Sequence, residues 1–83
     1  MEAKQLDDML KYDPKDADDA YALLNKELQS EDRDNHLFVR TIVGRRWMAA
    51  HDKNDEFAIG KYSSYLCAIN RLIVEKDSGR YFG

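Results

Sequence analysis

Residues 56–75, EFAIGKYSSYLCAINRLIVE, decide the fold class. Ala58, Tyr62, Tyr65, Ile69 and Leu72 recur at intervals of four, three, four and three, flanked by Ile59, Leu66 and Ile73, and that spacing lays one apolar stripe along a helix. The polar run HDKND at 51–55 precedes it, and Asn54 or Asp55 can cap its first turn. A helix is predicted over about 56–75, with Ser78-Gly79 ending it and 78–83 left as a short aromatic tail, loose or docked. No alternation of period two long enough for a strand occurs anywhere in the chain.

Upstream, the chain from Ser30 to His51 contains no proline, and Ser30 followed by Glu31 and Asp32 reads as a cap with an acidic first turn, so a helix is predicted over about 31–51. Leu37, Phe38, Val39, Ile42, Val43, Trp47, Met48, Ala49 and Ala50 occupy nearly its whole circumference, more than two neighbours in so small a bundle readily cover. Gly44 inside it costs about 1 kcal/mol relative to alanine, which points to a kink or to another backbone coming close. Asp13 as cap and Pro14 at the first helical position open a further helix over about 14–29, with Ala17, Tyr21, Leu24 and Leu28 on its inner face. Leu6, Met9 and Leu10 mark a short amphipathic helix at about 3–11. The expected fold is all-α: a single domain, 1–83, of three main helices plus a short N-terminal one.

A chain of 83 residues buries a modest fraction of its surface, so oligomerisation or partner binding is an expected supplement to its stability. Its net charge of −3 divides unevenly: residues 1–35 hold eleven acids and five bases, residues 36–83 five acids and eight bases. Internal attraction between the halves is the expected use of this asymmetry. The one cysteine, Cys67, rules out an internal disulfide and suggests a reducing compartment, with the thiol expected to be buried. No apolar run reaches a membrane span and the N-terminal residues do not read as a secretory signal, so a soluble, cytoplasmic protein without a membrane partner is expected.

No cofactor, metal or catalytic residue is expected. Asp16, Asp18 and Glu27 match positions one, three and twelve of a calcium loop, but Ala20 and Tyr21 stand where a ligand and a glycine are required. His36 and His51 are too far apart to share a metal, and Cys67 has no oxyanion turn beside it. The chain is therefore expected to be a non-enzymatic protein-interaction module. In general character it is like a phage-type accessory protein that modulates a larger host machine from the host cytoplasm.

The candidate partner-binding residues are Arg40, Gly44, Arg45, Arg46, Trp47 and Met48 on the 31–51 helix, with Gly60, Ser64 and Arg71 from a small-residue stripe on the last helix. That stripe, Gly60, Ser64, Cys67, Ala68 and Arg71, suits either a tight internal crossing with Gly44 or contact with another chain, a homodimer included. The alternatives are a nucleic-acid-binding regulator, with Arg40, Arg45, Arg46, Lys53, Lys61 and Arg71 as its basic region, and a small virion assembly component.

Overall fold

A computed structural model of the chain describes the backbone of residues 2–82 and the side chains of residues 2–77. It is an all-α bundle of four helices, α1 (Ala3–Leu10), α2 (Ala17–Leu28), α3 (Arg33–Asp52) and α4 (Glu56–Phe82), with no strand among the described residues. The long helix α4 is the centre of the fold, since both α2 and α3 pack along it. Its buried side chains are Tyr65, Ala68, Ile69, Leu72 and Ile73, and they meet Leu24 and Leu28 of α2, Val39 and Val43 of α3, and Leu6, Met9 and Leu10 of α1 in one core.

Several boundaries differ from the sequence reading, each for a local reason. The cap of α2 is Asp16 rather than Asp13: its carboxylate accepts from the Asp19 N–H at 2.8 Å, while Asp13 pairs with Lys61. The Asp19 carboxylate accepts from the Tyr12 hydroxyl at 2.7 Å and the Lys15 N–H at 2.9 Å, and Pro14 lies outside the helix. Asp32, not Ser30, caps α3, accepting from the Asn35 N–H at 2.9 Å. Asp55 accepts from the Ala58 N–H at 3.1 Å and opens α4, and Asn54 supplies the left-handed turn before it with φ of 54°. At the other end α4 does not stop at Ser78-Gly79 but continues to Phe82, because a lone glycine without a left-handed backbone only weakens a helix. Gly83 and the side chains of the aromatic tail lie outside the described residues.

Two expectations about packing are corrected. No tight crossing forms at Gly44 or Gly60, since a Cβ added at either would meet nothing within 4 Å. Cys67 is exposed, whereas its neighbour Ala68 is buried: they stand on opposite sides of the boundary between the outer and inner faces of α4.

The C-terminal end of α2 is closed by the other helices. The Leu28 carbonyl accepts from His36 Nε2 at 2.7 Å, and the Gln29 carbonyl accepts from Lys76 Nζ, also at 2.7 Å. His36 is fully buried, and since a carbonyl only accepts, Nε2 is the donor of this bond, while Nδ1 has no hydrogen-bond partner among the described residues.

Candidate interaction surface

Part of the charge asymmetry is used inside the fold. Asp7 of α1 pairs with Arg46 of α3, Asp13 with Lys61 of α4 at 2.9 Å, and Asp18 of α2 with Arg71 of α4 at 3.5 Å. Each is an acid of the first half meeting a base of the second. Burial works against the Arg46 charge, but bonds to Tyr62 and Asp7 more than offset it and leave the guanidinium above its ordinary value. Arg71 stacks over the Tyr21 ring, 3.9 Å from its centroid, and also binds Glu75, whose other oxygen accepts from the Tyr21 hydroxyl. The Tyr21 hydroxyl and a second bond from Arg71 hold the Glu75 carboxyl below the usual carboxylate range, and the same contact with Glu75 raises the Tyr21 phenol. Trp47 is tied as well: its indole N–H donates to Ser63 Oγ at 2.8 Å and its ring sits edge-on to His51.

These contacts sort the candidate residues into three groups. Arg46 and Trp47 fasten α3 to α1 and α4. Gly60, Ser64 and Arg71 lie along the outer side of α4, with Gly60 and Arg71 exposed and Ser64 half-buried. Arg40, Gly44, Arg45 and Met48 lie on the outer side of α3, where Arg40 and Arg45 are exposed and, unlike Arg33, Arg46 and Arg71, pair with no carboxylate among the described residues.

The outer side of α3 has a definite make-up. Val39, Val43 and Ala50 take the inner face. Opposite them Phe38, Thr41, Arg45 and Met48 follow at three, four and three, with Gly44 beside Arg45 and with Asp34 and Asp52 at the two ends. Phe38 is 41% exposed and Met48 63%. The full apolar circumference of α3 signalled that some of it would stay uncovered but not which part, so Phe38 was not among the candidates. The same holds for Phe57 and Val74 on the outer side of α4, 68% and 61% exposed.

The acidic N-terminal segment occupies three of the six bases that would have served a phosphate backbone, leaving Arg40, Arg45 and Lys53. Among the described residues no group of three or more His, Cys, Asp or Glu is placed to hold a metal ion, and no helix is long and apolar enough to cross a membrane. No protein-family model, no curated protein and no solved structure matches this chain.

Proposed function

We propose that this protein is a small interaction module that docks the outer face of α3 onto a larger protein and modulates it, in the manner of a phage-type accessory protein acting on a host machine. The observation that carries this reading is that Arg40 and Arg45, on the side of α3 that carries exposed Phe38 and Met48, meet no carboxylate among the described residues, whereas the other described arginines all do. A methionine and a phenylalanine on one ridge are adaptable apolar anchors, and arginines beside them favour a surface edged with carboxylates. Gly44, with open space where a side chain would be, lets the partner's backbone come close at the middle of the ridge.

The test is site-specific photocrosslinking in the native cell. A photoreactive residue at Met48 should yield one discrete adduct, and one at Lys26, on the exposed side of α2, should not. Arg45→Glu should abolish the Met48 adduct with the helical content unchanged. Equal adducts from both positions would refute the reading. Submicromolar DNA or RNA binding at physiological salt that disappears in an Arg40→Ala/Arg45→Ala variant would replace it with the nucleic-acid one.

A further inference from the structure

The charges that the fold leaves unmatched are of both signs, and they lie on different faces. On the outer side of α3, Arg40 and Arg45 meet no carboxylate among the described residues, and Phe38 and Met48 are exposed on the same side. Between α1 and α2 lies a groove of about 430 Å³, lined by Met9, Tyr12 and Leu23 and by the carboxylates of Asp8, Glu27 and Glu31. No lysine or arginine is in that lining, and Glu27 and Glu31 pair with none elsewhere among the described residues. Asp8 has an exposed pairing with Lys11 at 3.2 Å. Within one molecule the two faces do not meet, so each keeps the charge that the other lacks.

We propose that the α3 ridge of one copy of this chain sits in the α1–α2 groove of a second copy, with Arg45 reaching the partner's Glu27 and Glu31 and Met48 meeting the partner's Met9 and Leu23. Arginine and methionine are the residues that interface centres favour, and a guanidinium between carboxylates makes the stronger, charge-assisted kind of hydrogen bond. Opposite charge around an apolar middle also sets the orientation of the two copies. The surface offered differs from the surface that receives it, so a copy that has given its ridge still has its groove free. Association therefore runs head to tail and does not stop at a symmetric pair. The ridge is about 15 Å long from Phe38 to Met48 and covers less than the roughly 1,000 Å² of a stable interface, so the contact is a weak one, with a Kd of about 10–100 μM at low salt. The proposal rests on the α3 reading for its ridge and adds what covers that ridge when the larger protein is absent: a ridge held by another copy has to be released before it can dock.

The test uses two complementary variants of the purified chain. Arg40→Ala/Arg45→Ala disables the ridge and leaves the groove, and Glu27→Gln/Glu31→Gln disables the groove and leaves the ridge. None of the four side chains is buried, and circular dichroism checks that each variant keeps its helices. Sedimentation of the unaltered chain from about 10 to 500 μM at low salt should show its mass rise past that of a dimer. Each variant alone should stay at the monomer mass. Mixed in equal amounts at about 500 μM, the two should approach double that mass and stop there, because only one working ridge and one working groove remain per pair. Raising the salt from about 50 to 500 mM should return the unaltered chain toward the monomer, since the paired charges lie at the surface. A monomeric mass throughout, a variant that associates alone as the unaltered chain does, a mixture that stays monomeric, or association indifferent to salt would each overturn the proposal. The purified chain contains no larger protein, so the outcomes separate: a foreign adduct at Met48 in the cell with a monomeric purified chain sinks this proposal and keeps the α3 reading, and head-to-tail association without a foreign adduct does the reverse.

Discussion

Removing one oxygen atom from Tyr65 should loosen α1 from the bundle. Tyr65 is 0% exposed, and its hydroxyl lies 2.6 Å from the Tyr12 carbonyl and 3.3 Å from the Met9 carbonyl, at the C-terminal end of α1. Tyr65→Phe keeps the ring in its place in the core but leaves these acceptors without their donor. A lost internal hydrogen bond costs about 1 kcal/mol, and stranding the part-buried acceptors raises this to about 2 kcal/mol. An 83-residue chain has an unfolding entropy of roughly 0.17 kcal/mol/K, so the midpoint of thermal unfolding should fall by about 6–12 °C. Burial, and secondarily the charge of Asp13, holds the Tyr65 phenol above its ordinary value. A raised phenol stabilises the fold fully below the unfolded value of about 10 and loses that contribution as pH climbs beyond it. Urea unfolding between about pH 8 and 11 should therefore steepen its decline above pH 10 in the parent and less so in the variant. Limited trypsin digestion should cut the variant faster at Lys4 and Lys11. A midpoint within about 1 °C of the parent, with no change in cleavage, would refute the idea that this hydroxyl fastens α1.

Three further outcomes follow from particular side chains. His36→Phe preserves bulk but deprives the Leu28 carbonyl of its buried donor, so it should cost about 1–3 kcal/mol by urea unfolding, while Lys76→Met, at an exposed bond to Gln29, should cost less than half as much. Gly44→Ala should raise stability by about 1 kcal/mol in thermal unfolding, since the helix continues through it and the new methyl meets nothing. Cys67, exposed on the outer side of α4, should react with a thiol reagent at about the rate of an accessible thiol in the folded chain. Labelling that requires unfolding would refute the exposed placement.

The inner face of α4 was legible because Tyr65, Ile69 and Leu72 are large and regularly spaced, and only a helix puts them together. The all-α class followed from that one segment. Caps were harder. The run from Asp13 to Asp19 offers several carboxylates that can each accept an N–H, and the choice of Asp16 depends on Tyr12 reaching Asp19 and Lys61 reaching Asp13, contacts that span the fold. On α3 the apolar residues surround the helix, so periodicity could not say which side faces inward. In the event a histidine went in and Met48 stayed out. The small residues of α4 misled for a related reason: size alone does not tell an inner position such as Ala68 from an outer one such as Cys67. The pairing of the acidic segment with the later bases was legible as a balance of charge, though not as the particular partners Asp7–Arg46, Asp13–Lys61 and Asp18–Arg71.

The central place of α4 also governs how the protein is made. Residues 2–52 are made before α4, yet α2 and α3 pack chiefly on α4 rather than on each other, and the Tyr65 hydroxyl that fastens α1 belongs to α4 as well. Until α4 is made, the first three helices therefore lack the main surface against which Leu10, Leu24, Leu28, Val39 and Val43 are buried. Short isolated helices hold little structure in water, so the nascent chain stays open until Leu72 and Ile73 have emerged, and then the whole bundle closes in one step. A ribosome stalled anywhere before that point would present a fully protease-sensitive chain. One stalled after α4 has cleared the exit tunnel would present a folded one, with nothing protected in between.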